Sequence, residues 1–391
     1  MLIAKLSTKV FFLRLVLFAY KVKEAPSNLN LTHIFAMSDL RFDPVSGHWT
    51  VIAGNRNDRP IEFIPLERVR KRLICPFCGG NEQETPPTKV IYASNGSQMQ
   101  SSIDDQGNEN DRWSTRVVSN KYAAFGRIKS HAQRAAEGEE IEKNGLDVSM
   151  GKVAHGPYLR SALPGPQELI IPSCRHIASL SSLYDDELKV LFRANQDRLN
   201  TMRDCEVAKH AMLFMNCRSE AGASLEHIHF QLIGSPVISE QLQSRVERNR
   251  LHLDTHKETL MTSLLKWEIS QETRIIYQAK YFTVVCPYAS RFPFQIWIVP
   301  NDPSTSFLDV DDDVRDELAF MSRDVVRRLE EALDNPSYNL LMHIAPFSQA
   351  AQDHWYLEFF PRTTRAAGFE LGTDVWVNPI APELAVKRLR S

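Results

Sequence analysis

The sequence predicts an α+β protein made of two copies of one unit, with antiparallel sheets flanked by helices. The order strand, helix, strand, strand occurs twice, beginning at Glu168 and at Gln295. Subtracting the positions gives an offset of 127, and His227 and His354 in the last predicted strands are also 127 apart. Because one offset holds across four elements, it indicates an internal duplication.

Composition excludes some classes of protein. The 391 residues carry 46 Lys and Arg against 48 Asp and Glu, a net charge of −2, which gives no electrostatic footprint for nucleic acid. Of the six cysteines only one pair has C-x-x-C spacing, which is typical of a metal or redox motif in a reducing compartment rather than a disulfide scaffold. We therefore expect a cytoplasmic protein with no nucleic acid or membrane partner.

The first 36 residues differ from the rest. An apolar run at 10–20 contains Arg14 and is shorter than the roughly 20 residues that a membrane span needs. A signal peptide stays open because basic residues precede the run, but no convincing small-residue cleavage site follows it. We predict that residues 1–36 are an extension outside the fold, and that the folded chain divides into domains at 37–235 and 236–391.

The segment before the repeat begins with a hairpin at 40–54, where Gly and Pro mark the turn. A polar loop with Arg56 and Arg59 follows, and then a tight knuckle at 74–80. A strand at 116–120 ends on Asn120, and a long insertion is expected at 127–166, where charged residues show little periodicity.

The two copies then follow in parallel order. The first has a strand at 168–172, a helix at 185–202 with apolar residues at helical spacing, and strands at 211–216 and 224–231. The second has a strand at 295–299, a helix at 312–333, and strands at 338–343 and 354–360.

The predicted strand at 224–231 has His227, His229 and Gln231 on one face, because side chains alternate along a strand. An exposed polar face is the simplest interpretation. In the second copy, however, His354 matches His227 while Tyr356 and Glu358 replace the other two. A structural residue would be kept in both copies, whereas a catalytic residue is needed once. This difference favours a catalytic role for His229.

Cys75 and Cys78 form half of a tetrahedral zinc site, since C-x-x-C presents two thiolates on one knuckle. No second C-x-x-C exists, so the best candidates for the other ligands are His176 and His227. A redox pair or an unliganded pair stays open, although Gly79 and Gly80 suit a turn around a metal better than a helix start. A Cys2His2 site is closed and would be structural.

Several motifs together resemble a known family. Cys75-Pro76-Phe77-Cys78-Gly79-Gly80-Asn81-Glu82 with Thr85-Pro86, the segment 216–231 with His-x-His-x-Gln, and the segments 285–294 and 354–361 are similar to those of galactose-1-phosphate uridylyltransferases. The resemblance runs from about Leu40 to the C-terminus. That family belongs to the histidine-triad superfamily, whose duplicated fold agrees with the repeat.

The resemblance implies roles residue by residue. It implies zinc at Cys75, Cys78, His176 and His227, with His229 as the nucleophile and Gln231 as the partner of the transferred phosphoryl group. It further implies phosphate contacts at Arg56, Arg59, Asn216 and Ser224, a nucleoside contact at Asn120 and a sugar-hydroxyl contact at Glu370. A solvated loop for the arginines and strand-end hydrogen bonding for Asn216 and Ser224 are the structural alternatives.

The leading hypothesis is a UDP-glucose–hexose-1-phosphate uridylyltransferase with ping-pong kinetics through a covalent nucleotidyl-histidine on His229. Its partners would be a nucleotide sugar, UDP-glucose or ADP-glucose, and a sugar 1-phosphate, in a homodimer as is common in the family. An ADP-glucose phosphorylase using the same histidine is the close alternative, and the tail at 368–379 looks closer to that branch. A non-catalytic zinc-stabilised nucleotide-binding protein is a third.

The sequence departs from the family at four positions. Ile228 replaces the common proline between the histidines, and Lys121 stands where an acidic residue often follows the asparagine. Glu358 and Phe360 occupy the places where some members have histidines for a second metal. We therefore expect no second metal site.

Overall fold

A computed structural model of the chain describes residues 39–52, 74–99, 113–125, 153–155, 158–160, 164–303, 306–352 and 354–391. The predicted extension at 1–36, Arg56 and Arg59, and most of the insertion at 127–166 lie outside these residues. Within the described ranges, no helix has the length and apolar character needed to cross a membrane.

The strands precede and follow two long helices that occupy matching places in the repeat. The strands are β1 (Asp39–Phe42), β2 (Trp49–Ile52), β3 (Thr88–Tyr92), β4 (Gln98–Met99), β5 (Thr115–Ser119), β6 (Val153–His155), β7 (Tyr158–Arg160), β8 (Gln167–Pro172), β9 (His210–Cys217), β10 (Phe230–Ser235), β11 (Ile275–Gln278), β12 (Phe282–Val285), β13 (Ile296–Pro300), β14 (Tyr338–His343), β15 (Tyr356–Pro361) and β16 (Trp376–Asn378). The helices are α1 (Asp185–Arg203), α2 (Glu240–His256), α3 (Leu260–Gln271), α4 (Asp312–Leu333), α5 (Gly368–Thr373) and α6 (Pro382–Leu389).

One large antiparallel sheet contains both copies in the order β11-β12-β13-β15-β14-β9-β10-β8-β5-β3-β4. The order reads the same outward from the central β9–β14 pair, β10-β8-β5-β3 on one side and β15-β13-β12-β11 on the other. Phe214 of β9 is directly opposite Leu341 of β14, and these positions are 127 residues apart. The 127-residue offset in the sequence therefore corresponds to a pseudo-twofold axis through the centre of the sheet. This symmetry confirms the predicted duplicated α+β fold.

Helices α1 and α4 cover one face of this sheet. Both helices bury an apolar stripe at helical spacing, which includes Leu188, Leu191 and Leu199 on α1 and Leu318 and Val325 on α4. These side chains join strand residues of both copies in one hydrophobic cluster. The small sheet β1-β2-β16 contains the predicted hairpin, and its β2–β16 pair is parallel, unlike the rest.

The predicted strand at 224–231 is wrong for its first six residues, because β10 begins only at Phe230. Phe230 is opposite Ile170 on β8, so continuing the ladder would bring the chain to Pro172, which has no N–H to donate. The N–H of Ile228 instead donates to the Ile177 carbonyl oxygen at 2.8 Å. The alternation of faces nevertheless continues, since Ile228 and Phe230 are in the helix-covered core while His227 and His229 face the other way.

A smaller displacement in the same direction occurs in the second copy. The last strand was predicted at 354–360, and β15 begins two residues later, at Tyr356. The strand predicted at 295–299 lies one residue further along, as β13. The helix predicted at 312–333 has those bounds as α4, and α1 ends one residue later than predicted.

Candidate functional site

A turn after residue 74 presents the two predicted thiol ligands. The N–H of Cys78 donates to the Cys75 carbonyl oxygen at 3.3 Å, and the Asn81 amide donates to the same oxygen at 3.0 Å. Gly80 has φ +83°, a conformation that favours glycine. The N–H of Gly79 donates to the carbonyl oxygen of Cys174 at 2.8 Å. The knuckle is therefore fixed to the segment that follows β8, where His176 lies.

The structure brings Cys75, Cys78, His176 and His227 together, with one ligand atom of each within 4.8 Å of the others. The Sγ atoms of Cys75 and Cys78 are each 3.7 Å from His227 Nδ1, and Cys78 Sγ is 3.4 Å from His176 Nδ1. Sulfur and nitrogen ligands at about 2.3 and 2.1 Å from a tetrahedral metal would be roughly 3.6 Å apart. The cluster could therefore hold a metal ion.

The hydrogen bonds of the two histidines suit metal ligation. His227 is fully buried, and its Nε2–H donates to the Pro172 carbonyl oxygen at 3.1 Å, so that Nδ1 keeps its lone pair toward the thiols. Burial lowers the pKa of His227 to about 4, which keeps the ring neutral. His176 Nε2 lies 3.4 Å from Glu226 Oε2. Burial and the neighbouring Cys75 raise the pKa of Cys78 to about 12, so the Cys78 thiol needs a nearby cation to ionise at neutral pH.

His229 lies on the same face, two residues beyond His227, with 6% of its surface exposed. Its Nδ1–H donates to the backbone oxygen of His227 at 3.0 Å. Nε2 therefore carries the lone pair. Burial lowers the pKa of His229, although the bond to His227 opposes the shift. The ring of Phe77, inside the C-x-x-C knuckle, packs edge-on to the His229 ring at 4.9 Å between centroids.

Gln231 is the second residue of β10, half-buried and opposite Phe214 of β9. Asn216, two residues along β9 from Phe214, shares that face of the sheet. Its Oδ1 accepts a hydrogen bond from Asn339 Nδ2 at 2.7 Å. Ser224 is exposed on the bend that leads to His227. The structure therefore places Gln231 and Asn216 on the same face of the sheet as His229. Ser224 lies on the bend that precedes His227.

The predicted nucleoside contact, Asn120, lies farther along the sheet from His229, and the predicted sugar contact, Glu370, lies on a different element. Asn120 follows β5, where its N–H donates to the Gln167 carbonyl oxygen, and Gln167 is opposite Ile233. Four residues of strand, roughly 13 Å, separate His229 from that end of β10. Glu370 caps α5 by accepting from the Ala367 N–H at 3.0 Å, on the side of the second copy. The role of Glu370, like those of Arg56 and Arg59 outside the described residues, stays a prediction.

Sequence reasoning missed Phe77 and Asn339. An aromatic residue inside C-x-x-C is most simply interpreted as core, and only the fold shows that Phe77 touches His229 as well. Asn339 also donates to the Ala221 carbonyl oxygen at 2.9 Å and so supports the turn before Ser224. The sign of Asn339 in the sequence was its place on a predicted strand, which the structure pairs with β9.

The second copy keeps one feature of this site, the histidine that matches His227 and its hydrogen bond to a proline carbonyl oxygen. His354 Nε2 donates to the Pro300 carbonyl oxygen at 2.8 Å, as His227 does to Pro172. Its Nδ1, however, lies 3.4 Å from Thr259 Oγ1 instead of thiols. In the described ranges the first-copy cluster is the only group of three or more such ligands arranged for a metal.

Comparison with known proteins agrees with this geometry. Residues 245–369 match the family model "galactose-1-phosphate uridyl transferase, C-terminal domain". An ADP-glucose phosphorylase of Arabidopsis thaliana is 27% identical over 360 residues, covering 90% of this chain and 92% of the relative. A galactose-1-phosphate uridylyltransferase of Thermotoga maritima is 21% identical over 364 residues, covering 90% and 98%.

A solved structure of an Arabidopsis thaliana ADP-glucose phosphorylase with bound ADP-glucose superposes with a TM-score of 0.70 at 25% identity, over 91% of this chain and 98% of that one. A structure of a uridylyltransferase, at 18% identity and TM-score 0.64, shares the fold. Fold and relatives define the class of protein as a nucleotidyltransferase with a duplicated histidine-triad-like fold. The chain is similar over most of its length to a galactose-1-phosphate uridylyltransferase and to an ADP-glucose phosphorylase.

Proposed function

We propose that this protein transfers a nucleotidyl group from a nucleotide sugar to a phosphate acceptor through a covalent intermediate on His229, as a hexose-1-phosphate uridylyltransferase. The observation that carries the proposal is the hydrogen bond from His229 Nδ1–H to the His227 carbonyl oxygen at 3.0 Å. It fixes the tautomer in which Nε2 is an unprotonated nucleophile, and burial favours the neutral ring.

The transfer would take two steps. The Nε2 lone pair attacks the α-phosphorus, an N–P bond forms, and the P–O bond to the leaving sugar 1-phosphate breaks. An oxygen of the acceptor phosphate then attacks phosphorus, and the N–P bond returns its electrons to the imidazole. Gln231 would donate its amide to a non-bridging oxygen, where charge develops. Asn216, Ser224, Arg56 and Arg59 would hold the phosphates, and Asn120 the nucleoside beyond them.

We further propose zinc for the Cys/His cluster, because two thiols and two imidazoles are the ligands of a closed structural zinc site. When bound, the metal neutralises the two thiolates and holds the knuckle to His227. The chain's own contribution is positional. Phe77 lies between the two thiol ligands and packs on His229, so that fixing the knuckle also fixes the nucleophile. A homodimer and a cytoplasmic location belong to the same proposal, and light scattering of the purified protein tests the dimer.

An ADP-glucose phosphorylase is the second candidate. The Arabidopsis ADP-glucose phosphorylase is 27% identical to this chain over nearly its whole length, against 21% for the Thermotoga uridylyltransferase. The covalent step is the same in both candidates. They differ in the base of the nucleotide and in the acceptor, which is a sugar 1-phosphate in one case and inorganic phosphate in the other.

One labelling experiment tests the chemistry and separates the two. The protein is incubated with UDP-glucose or ADP-glucose labelled at the α-phosphorus, and label on denatured protein is counted. We expect label on wild type from one donor and none on His229→Ala. Chase with galactose 1-phosphate or inorganic phosphate then identifies the acceptor. Equal labelling of the His229→Ala variant would refute the nucleophile, and no label from either donor would refute the covalent mechanism.

A further inference from the structure

A cavity of about 340 Å³ lies in the second copy, at the place equivalent to the His229 site. The register relates the two places: Gln231 is opposite Phe214, Phe214 opposite Leu341, and Leu341 opposite Glu358. Three steps between neighbouring strands separate Gln231 from Glu358, roughly 14 Å. The cavity is therefore distinct from the His229 site, though it opens on the same face of the sheet.

The floor of the cavity is a polar network around Glu358, which is buried. Its Oε1 accepts from Trp297 Nε1 at 3.1 Å and also from Gln295, and its Oε2 accepts from His343 Nε2 at 2.7 Å. Arg245 donates to the other ring nitrogen of His343 at 3.2 Å. Both carboxylate oxygens of Glu358 therefore accept hydrogen bonds from side chains of this floor.

Three arginines line the cavity together with two carboxyl groups, Glu358 and Asp43. Burial raises the pKa of Asp43, and the hydrogen bonds from Ser46 and Val45 oppose this shift. The two lining histidines, His210 and His343, have pKa values lowered by burial and stay neutral. The arginines, Arg245, Arg291 and Arg362, therefore leave the cavity with a net positive potential.

Aromatic rings form the wall beside these cations. Phe292 and Phe360 stack at 4.7 Å with planes 13° apart, and the Arg362 guanidinium lies 5.6 Å and 5.7 Å from their centroids. Arg291 lies 5.8 Å from the Trp376 ring, and its NH2 is 3.6 Å from Glu358 Oε1. Arg362 has no carboxylate within ion-pair distance among the described residues. Flat apolar walls with a cation at the rim suit a planar ring that carries a phosphate.

The catalytic group is absent from this copy. Tyr356 stands where the first copy has His229, and it stacks on His343 at 4.4 Å. Burial raises the pKa of the Tyr356 phenol, and the imidazole that the proposed transfer needs is replaced by this ring. A ligand in this cavity would be bound and not transferred.

We infer that the cavity of the second copy is a non-catalytic binding site for a nucleoside 5′-monophosphate, with the base against the Phe292 and Trp376 wall and the phosphate on Arg362 and Arg291. Its volume falls at the lower end of the roughly 300–1,000 Å³ of small-molecule sites. A sugar phosphate shares the phosphate but lacks the aromatic plane. The site does not depend on the chemistry proposed for His229.

Binding stoichiometry of the full chain tests this inference. Titration calorimetry with UMP, AMP, glucose 1-phosphate and inorganic phosphate should give two equivalents of one nucleotide per chain for wild type. Arg362→Gln should weaken the second equivalent about tenfold and leave labelling of His229 unchanged. Met212→Trp, whose larger side chain on β9 should fill the cavity, should abolish binding of the second equivalent. Arg327→Gln, an exposed arginine on α4 across the sheet, should behave as wild type.

Three results would overturn the inference. A single equivalent in wild type that neither Arg362→Gln nor Met212→Trp weakens would show that the cavity takes neither nucleotide. If inorganic phosphate bound the second site as tightly as the nucleotide does, the aromatic wall would contribute nothing to binding. Glucose 1-phosphate binding the second site more tightly than both nucleotides would exclude the nucleoside.

Discussion

At the residue scale, His227 and His229 have separate environments although they are two positions apart. Nδ1 of His227 faces the thiols and its Nε2 is bonded to Pro172, whereas Nδ1 of His229 is bonded to backbone. Opposite ring nitrogens are therefore available in the two residues. This opposition is the physical basis for assigning one histidine to the metal and the other to phosphorus.

Substitution should separate the two histidines. We expect His227→Ala to lose the metal proposed for the cluster and several kcal/mol of stability, because a structural site with three ligands binds weakly. His229→Ala should keep its metal and change the free energy of unfolding by about 1 kcal/mol or less, while abolishing turnover. Metal analysis and thermal unfolding of the two variants check this. Equal metal content and melting temperature for His227→Ala and wild type would contradict it.

Phe77 provides a test of positioning. Phe77→Leu keeps an apolar side chain in the knuckle but removes the ring edge against His229. We expect kcat to fall about tenfold, equivalent to about 1.4 kcal/mol in the barrier, with KM and metal content close to wild type. Steady-state kinetics with metal analysis measures all three. An unchanged kcat would mean that other contacts orient the ring.

The sequence predicted the residues of the cluster better than their surroundings. Cys75 and Cys78 were found from their spacing, and His176 and His227 were named as the best candidates for the remaining ligands. Phe77 and Asn339 escaped because their contacts cross between elements far apart in the chain. Spacing reveals residues that share a turn or strand, but tertiary neighbours follow only from the fold.

At the element scale, the long helices were predicted closely and the last strand of each copy was not. The alternation at 224–231 correctly predicted which side chains share a face. It could not show that hydrogen-bonded pairing begins only at Phe230, because the ladder ends at the Phe230/Ile170 pair, two residues before β8 ends at Pro172. The boundary of a strand thus depended on its neighbour.

The network under β15 should show a pH-dependent effect. Burial alone raises the pKa of Glu358, but the bond from His343 and the charge of Arg291 lower it to about 2. Because the folded value is below the ordinary one, the ionised carboxylate stabilises the protein above about pH 4.5, and this contribution is lost as pH falls toward 2. Glu358→Gln should therefore cost on the order of 3 kcal/mol at pH 7 and roughly half of that near pH 3.

Denaturant unfolding of wild type and Glu358→Gln at several pH values measures this difference. A matched control is Gln295→Leu, which removes one donor to the same carboxylate without removing its charge. A gap between wild type and Glu358→Gln that stays constant with pH would show that the carboxylate acts through shape and not through charge.

At the scale of the whole molecule, the two copies are joined edge to edge. Phe214 and Leu341 lie on the pseudo-twofold axis, and strands of both copies contribute to one cluster under α1 and α4. The sequence analysis predicted two domains, 37–235 and 236–391, and this division stays a prediction. A repeat in sequence, however, does not require a boundary in the core. How the copies join depends on the β9–β14 edge, which periodicity does not reveal.

This continuity predicts cooperative unfolding. If the halves were independent, each would leave the β9 or β14 edge unpaired and expose half of the shared core to water. We therefore expect one thermal transition with equal calorimetric and van't Hoff enthalpies. The fragments 37–235 and 236–391 should each be unfolded alone. Leu341→Lys, which introduces a charge on the axis, should lower the single transition without dividing it, whereas two resolved transitions would show that the sheet joins two separately stable domains.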